Sequence, residues 1–264
     1  MRRRLGQHFL KNERKIKQFV DALDLEKHDI VIEIGPGHGE VTKEIIHSGT
    51  FKKLVLIERD EKLATALRKK FSDDGRIEIV TDDALKILPQ ITKTLDAGTY
   101  KLVGNIPFYI TGRLLRIISE LEYKPTITIL GIQKEVAERI SAQPPRMNLL
   151  AASVQFWADA QIITTISRTD YQPQPEVDGA VIKLTTKEQK ITTGETENYY
   201  KFIKTLFKQP RKTILNNLSA EITETTKEKV SVKLKRAGLD PGMRPQELSA
   251  SVVKDLVHTF SYEN

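Results

Sequence analysis

The stretch D-I-V-I-E-I-G-P-G-H-G occupies residues 29–39 and decides the fold class. It begins with a run rich in β-branched Ile and Val, which is typical of a buried strand, and continues into glycines that let a backbone approach a ligand closely. Residues 40–48 then predict a helix. A strand, a glycine loop and a helix in this order open a doubly wound α/β sheet, in which ligands bind at the carboxyl ends of the strands. The G-x-G-x-G spacing differs from the G-x-G-x-x-G of dinucleotide sites and so disfavours a nicotinamide oxidoreductase.

Acidic residues follow the next two predicted strands. The strand L-V-L-I at 54–57 ends at Glu58, about twenty residues beyond the glycine loop, where a carboxylate can accept both hydroxyls of a ribose. The strand I-E-I-V at 77–80 ends just before Asp82-Asp83, where a carboxylate can accept an adenine amino group. Either acid alone is more often a solvated loop residue. Their position at successive strand ends predicts a nucleoside pocket.

A fourth strand leads into the segment Y-K-L-V-G-N-I-P-F-Y-I-T-G at residues 100–112. The side-chain carbonyl of Asn105 can accept a hydrogen bond, and the backbone turn fixed by Pro107 can aim a second carbonyl beside it. The ring of Phe108 offers a face for stacking, worth roughly 1–3 kcal/mol per base. Together these groups suit an exocyclic amine on a nucleobase. The alternative is a strand-ending turn whose aromatic ring packs into the core, and the motif alone does not decide between them.

The remaining chain predicts further strands and then only helices. Three more strands, at 126–130, 161–166 and 177–184, complete a seven-stranded sheet. The last strand is predicted to be antiparallel, because a loop and not a helix joins it to the strand before it. A polar stretch at 185–197 indicates a linker. The predicted division is a catalytic domain at 1–184 and a helical domain at 198–264, with helices at 198–207, 210–219, 227–237 and 249–260.

Composition removes several classes of protein. The 264 residues contain no Cys, which excludes disulfides, thiolate zinc sites and cysteine nucleophiles, and we expect no metal site. No apolar run approaches the roughly 20 residues of a membrane span, and the first residues lack the apolar core of a secretory signal, so we expect an intracellular, cytoplasmic protein that does not bind membranes. The formal net charge of +7 is compatible with a solvated basic surface or with binding to a polyanion.

Two basic segments are potential phosphate contacts. Arg2, Arg3 and Arg4 precede a G-Q-H-F-L segment, and K-Q-P-R-K at 208–212 predicts the basic start of the second C-terminal helix. The alternatives are a packed lead-in to the first helix and a solvated helix end, respectively.

Seven segments of the chain resemble the ribosomal RNA adenine dimethyltransferases. In chain order they are G-Q-H-F-L, E-I-G-P-G-H-G, I-E-R-D, D-D-A-L, G-N-I-P-F-Y-I-T, Q-K-E-V-A-E-R-I and P-x-P-x-V-D-G-A-V. The tail, with P-R-K-T-I-L-N-N-L and R-P-Q-E-L-S, is more similar to the KsgA-type small-subunit enzymes than to the Erm-type large-subunit enzymes. The resemblance implies a Rossmann-like class I methyltransferase fold, a seven-stranded mostly parallel sheet with a small all-helical C-terminal domain. It also implies S-adenosyl-L-methionine as methyl donor.

The implied reaction is dimethylation of the 6-amino groups of two adjacent adenines in the 3′-terminal hairpin of 16S rRNA during ribosome biogenesis. The implied partner is therefore 16S rRNA in an assembling small subunit, and we expect the enzyme to be a monomer. An Erm-type enzyme acting on 23S rRNA, and an RNA-binding assembly factor with secondary catalysis, stay open as alternatives.

The resemblance also assigns roles to residues. In the cofactor site it implies that His8 and Leu10 line the methionine end and that Gly35 and Gly37 form the floor. It further implies that Glu58 holds the ribose, that Asp83 holds the cofactor adenine, and that Asn105 reaches both the cofactor and the target amine. The residues expected to act in catalysis are Asn105, Pro107 and Phe108, and those expected to bind RNA are Arg2, Arg3, Arg4, Tyr109, Arg211 and Lys212. Phe108 stands where the family often has tyrosine, and Tyr109 where the small-subunit enzymes commonly carry asparagine.

Overall fold

The computed structural model of the chain describes residues 8–95, 100–188, 193–220 and 226–261. The strands are β1 (Phe9–Leu10), β2 (Ile30–Ile34), β3 (Lys53–Glu58), β4 (Ile77–Thr81), β5 (Tyr100–Asn105), β6 (Ile127–Gln133), β7 (Ala158–Ile166), β8 (Tyr171–Gln172) and β9 (Gly179–Thr186). The helices are α1 (Glu13–Asp21), α2 (Glu40–Ser48), α3 (Glu61–Lys70), α4 (Ala84–Thr92), α5 (Thr111–Glu120), α6 (Lys134–Ile140), α7 (Leu149–Gln155), α8 (Thr193–Leu206), α9 (Ile214–Ser219), α10 (Lys227–Arg236) and α11 (Ala250–Ser261).

Seven strands form the main sheet in the order β4-β3-β2-β5-β6-β9-β7. Strands β2 to β6 pair in parallel, and β9 pairs antiparallel with β6, from Gly179 opposite Gln133 to Thr185 opposite Ile127. This confirms the predicted seven-stranded, mostly parallel sheet with an antiparallel strand near its end. The carboxyl ends of β2, β3, β4 and β5 lie side by side and can build one site.

A second, two-stranded sheet was not predicted. Strand β1 pairs antiparallel with β8, with Phe9 opposite Gln172 and Leu10 opposite Tyr171. Each strand has only two residues, too few for a periodic pattern to reveal. The pairing fixes the N-terminal residues 8–12, which we call the N-terminal strap.

Contacts within the chain divide it into two compact units. The sheet unit contains Met1–Ala137 and Asp159–Lys187, and the helical unit contains Glu138–Ala158 and Glu188–Asn264. The expected linker at 185–197 is shorter in the structure, because β9 runs to Thr186 and α8 begins at Thr193. Residues 138–158 join the C-terminal helices, which the linear order of the sequence does not reveal.

Two helices differ from the sequence-based expectation. The sequence analysis assigned no element to residues 84–92, where the structure has α4, a helix that contains Pro89. Helix α9 begins at Ile214 and not at Pro210, since Thr213 caps it by accepting a hydrogen bond from the Asn216 N–H. The prediction that K-Q-P-R-K starts a helix is therefore wrong.

Both units have their own apolar core. In the sheet unit, α1 buries Phe19 and Val20 on one face, while Asn12 caps its start. In the helical unit, the ring of Phe156 stacks on Tyr199 at 3.8 Å between centroids, and the Tyr199 hydroxyl donates to the Ala152 carbonyl at 3.0 Å. Among the described residues, no helix has the length and apolar character needed to cross a membrane.

Candidate functional site

The glycine loop after β2 has a backbone that favours glycine. Gly35 has φ +65°, and Gly37 has φ +59°. A Cβ atom on Gly37 would lie 2.5 Å from Cε1 of Phe9 in the N-terminal strap. The loop can therefore pack under the strap only because Gly37 has no side chain.

Two carboxylates stand at the ends of the neighbouring strands. Glu58 is 3% exposed and accepts hydrogen bonds from the backbone N–H groups of Gly37 at 3.1 Å and Asp60 at 2.8 Å. Burial raises the pKa of Glu58 above its ordinary value, and these backbone donors act in the opposite direction. Asp83 caps α4 by accepting from the Leu85 N–H at 3.0 Å, and the Arg59 guanidinium lies 3.8 Å from its other oxygen. Both carboxyl groups are held in fixed orientations.

The N-I-P-F segment follows directly from β5. Asn105 is the last residue of that strand, and its Nδ2 donates to the backbone carbonyl of His8 at 2.9 Å. Because a carbonyl can only accept, this bond fixes the orientation of the amide and leaves Oδ1 as its acceptor. A Cβ on Gly131 would lie 2.6 Å from that oxygen, so the bare backbone at Gly131 makes room for the amide.

The N-terminal strap is fastened along its length. Nδ1 of His8 lies 2.8 Å from the Pro173 carbonyl oxygen, and Asn12 donates through Nδ2 to Asp170 Oδ1 at 2.9 Å. Between them, Lys11 forms an ion pair with Glu40 at the start of α2. The strap is therefore held to the residues on either side of β8, to the end of β5 through Asn105 and to the helix that follows the glycine loop.

A buried acid that the sequence analysis did not single out also faces this region. Glu33 in β2 is 2% exposed, and its Oε2 accepts a hydrogen bond from the Thr42 hydroxyl at 2.7 Å. Burial raises the pKa of Glu33 to about 8, against an ordinary value of 4.5. Glu33 is therefore mostly protonated at neutral pH.

Replacing Glu33 with Gln is expected to stabilise the chain relative to wild type, and increasingly so as pH rises from about 5 to about 8. Between the two pKa values the folded wild type keeps a proton that the unfolded chain releases, so its free energy of unfolding falls as pH increases. Glutamine resembles the protonated carboxyl and removes this dependence. Urea unfolding of both proteins across the pH range measures the difference. A difference that stays constant with pH would show that Glu33 titrates normally in the folded chain.

These groups surround one open cavity in the sheet unit. Of the predicted site residues, ten line it: His8, Leu10, Gly35, Gly37, Glu58, Asp83, Asn105, Pro107, Phe108 and Tyr109. The structure thus brings together side chains that are up to about a hundred positions apart in sequence.

The five other predicted residues fall into two groups. Arg2, Arg3 and Arg4 are outside the described residues. Arg211 and Lys212 are exposed and lie in a turn of the helical unit that Asn217 fixes by bonding to the backbone N–H and carbonyl of Gln209. Cavity-lining residues that the sequence analysis did not assign to the site include Glu33, Glu40, Arg113 and Tyr171. Only the position of Glu33 within the strand before the glycine loop could have indicated one of them.

Comparison with known proteins places these features in context. The profile of a family described as ribosomal RNA adenine dimethylase matches residues 1–258. Ribosomal RNA small subunit methyltransferase A of Dehalococcoides mccartyi is 37% identical over 262 residues, which cover 98% of this chain and 88% of that protein.

Two solved structures share the architecture. A dimethyladenosine transferase from Plasmodium falciparum superposes with a TM-score of 0.79 at 22% identity, covering 95% of this chain and 97% of that one. The 23S rRNA methyltransferase ErmE superposes with a TM-score of 0.75 at 21% identity, covering 96% of this chain and 99% of that one. At these identities the likeness establishes a common fold.

Proposed function

The chain belongs to the ribosomal RNA adenine dimethylase family, and from this we propose that it dimethylates the 6-amino groups of two adjacent adenines in the 3′-terminal hairpin of 16S rRNA during assembly of the small subunit. S-adenosyl-L-methionine is the proposed methyl donor. The observation that carries the proposal is the single cavity that joins the glycine loop, the carboxylates at successive strand ends and the N-I-P-F segment. The relative from Dehalococcoides mccartyi is a ribosomal RNA small subunit methyltransferase A, which favours the small subunit as target.

The residues around the cavity fit S-adenosyl-L-methionine. Its sulfonium and ammonium groups are cationic, and the cavity walls are rich in carboxyl groups. Glu58 would hold the ribose and Asp83 the adenine, while Gly35 and Gly37 form a floor without side chains. His8 and Leu10 would line the methionine end. When bound, this cofactor supplies an electrophilic methyl group on a positively charged sulfur.

Asn105 is the proposed residue for binding the target amine. An adenine amino group is a poor nucleophile because its lone pair is delocalised into the ring. The free Oδ1 of Asn105 and a neighbouring backbone carbonyl can accept its two hydrogens and so direct the lone pair out of the ring plane. Since the Pro107 carbonyl already accepts from the Ile110 N–H at 3.1 Å, the Ile106 carbonyl is the better second acceptor. Positioning and electrostatics then account for the rate, and the amine proton leaves to water after transfer.

Phe108 is the proposed stacking partner of the flipped base. A base that leaves its helix loses a few kcal/mol of stacking, and an aromatic face in the pocket recovers part of it. The Phe108 side chain is half-buried and lines the cavity, with its ring centroid 6.2 Å from that of His8. The ring is therefore placed where a second flat ring could enter.

Replacing Phe108 with Ala is expected to lower kcat/KM for rRNA about 10-fold or more, because stacking contributes roughly 1–3 kcal/mol per base. Replacing it with Tyr keeps the ring and should leave the rate near wild type. Methyl transfer to small-subunit particles measures both variants. Equal rates for the wild type and both variants would show that stacking on Phe108 has no role.

Methyl transfer to separated ribosomal subunits tests the choice of target. Subunits are prepared from cells that lack the gene and incubated with the purified protein and S-adenosyl-L-methionine labelled in its methyl group. Label is expected in the small-subunit rRNA and not in the large-subunit rRNA. Label confined to 23S rRNA would instead support the Erm-type activity.

A further inference from the structure

The cavity wall carries more acidic than basic side chains. Among the described residues five carboxyl groups line it, of which Glu33, with its raised pKa, is mostly protonated at neutral pH and Glu40 pairs with Lys11. The other three are Glu58, Asp82 and Asp83. A cationic ligand gains from such walls, whereas a phosphodiester that approaches them is repelled. An RNA substrate therefore needs a positive group where its backbone passes the cavity mouth.

Two guanidinium groups line the cavity among the described residues, and their surroundings differ. Arg59 lies 3.8 Å from Asp83 and partly neutralises that acid. Arg113 is exposed and, within the described part of the chain, makes no hydrogen bond or ion pair with another side chain. Its positive charge is thus available to a ligand.

Arg113 stands beside the segment proposed to hold the target base. It lies in the first turn of α5, which continues from the N-I-P-F segment. Tyr109, 62% exposed, lines the same cavity, and a Cβ on the neighbouring Gly112 would meet no atom within 4 Å. Arg113 therefore borders open space at the mouth and is separated from Asn105 by only seven residues of rigid turn and helix.

We propose that Arg113 binds a phosphate that flanks the target adenosine, so that a nucleotide entering base-first is anchored at the mouth while Asn105 and Phe108 hold its base. This inference rests on the proposed function. A guanidinium suits the role because it is always charged and presents paired N–H donors that match two phosphate oxygens. Arg113 would act as a positioning residue for RNA, with no contact to the transferred methyl.

The test compares Arg113→Ala and Arg113→Lys with a matched control, Arg116→Ala. Arg116 lies one turn further along α5, forms an ion pair with Glu120 at 2.6 Å and is not among the residues that line the cavity. The substrate is the small subunit from cells lacking the gene, and KM and kcat are measured at several KCl concentrations. The dissociation constant for S-adenosyl-L-methionine is measured by calorimetry.

Arg113→Ala is expected to raise KM for the subunit about 10-fold, as for the loss of one charged hydrogen bond. The slope of log KM against log salt should fall by about 0.7 to 1, because one phosphate contact is lost. Cofactor affinity should not change. Arg113→Lys should restore the salt slope but only part of the affinity, and Arg116→Ala should match wild type in both.

A wild-type KM and salt slope in Arg113→Ala would overturn the inference, as would an equal loss in Arg116→Ala or a parallel loss of cofactor affinity. The proposed function is judged separately, by wild-type transfer to the same particles, which is measured first. If the wild-type protein methylates the particles and Arg113→Ala has the same KM and salt slope as wild type, only the proposed role of Arg113 is refuted.

Discussion

Replacing Asn105 with Ala is expected to reduce methyl transfer to small-subunit particles by about 100- to 1000-fold, the usual effect of removing one preorganised polar group that acts in a transition state. The reason is that Oδ1 of Asn105 is the proposed acceptor for the target amine. The same substitution removes the hydrogen bond from Nδ2 to the His8 carbonyl, so the strap should loosen and cofactor affinity should weaken modestly. Single-turnover transfer and calorimetric cofactor binding separate these two effects.

Asn12→Ala is the matched control. Asn12 fastens the other end of the same strap through Asp170 but does not line the cavity. Its loss should lower stability by about 1 kcal/mol, as for a helix cap, and leave single-turnover transfer close to wild type. Rapid transfer by Asn105→Ala, or an equally slow Asn12→Ala, would mean that Asn105 serves only to hold the strap.

Replacing Gly37 with Ala is expected to weaken cofactor binding by roughly 100-fold, combining the cost of a left-handed backbone with that of overpacking. A Cβ there would lie 2.5 Å from the ring of Phe9, which already packs edge-on against His38 at 4.3 Å between centroids. The ring would have to move, and with it the strap that carries His8 and Leu10. The backbone of the glycine loop would also shift, and the hydrogen bond that the Gly37 N–H donates to Glu58 would be weakened. Calorimetric titration with S-adenosyl-L-methionine measures the loss.

Gly49→Ala separates backbone strain from steric overlap. Gly49 ends α2 with φ +66°, close to that of Gly37, but a Cβ on it would meet no atom within 4 Å. This variant should lose stability by about 1–2 kcal/mol and bind the cofactor normally. Normal binding by Gly37→Ala would show that the glycine loop is not the cofactor floor.

The sequence predicted those parts of the site that follow from local pattern. Alternating strands and helices fix which loops lie at the carboxyl edge of the sheet, so the positions of Gly37, Glu58, Asp83 and Asn105 could be inferred before the structure was known. Turn chemistry and strand length suffice for this, because each of these residues ends a strand or lies within three residues after one.

What the sequence could not reveal depends on contacts between distant segments. The pairing of β1 with β8 joins residues about 160 positions apart, and no periodic signal marks two-residue strands. The hydrogen bond from Asn105 to His8 and the room left by Gly131 belong to the same class. The start of α9 was misjudged because Pro210 is favoured in a first helical turn, whereas Asn217 holds that segment in a turn by tertiary hydrogen bonds.

If the protein dimethylates adenines of small-subunit rRNA in this cavity, mass-spectrometric mapping of 16S rRNA will detect the product. The rRNA is taken from cells lacking the gene and from the same cells carrying either the wild-type gene or Asn105→Ala. We predict two adjacent dimethyladenosines near the 3′ end with the wild type, and unmodified adenosines in the other two. Dimethyladenosines that persist without the gene would show that another enzyme makes them, and full restoration by Asn105→Ala would show that Asn105 is not needed for methyl transfer.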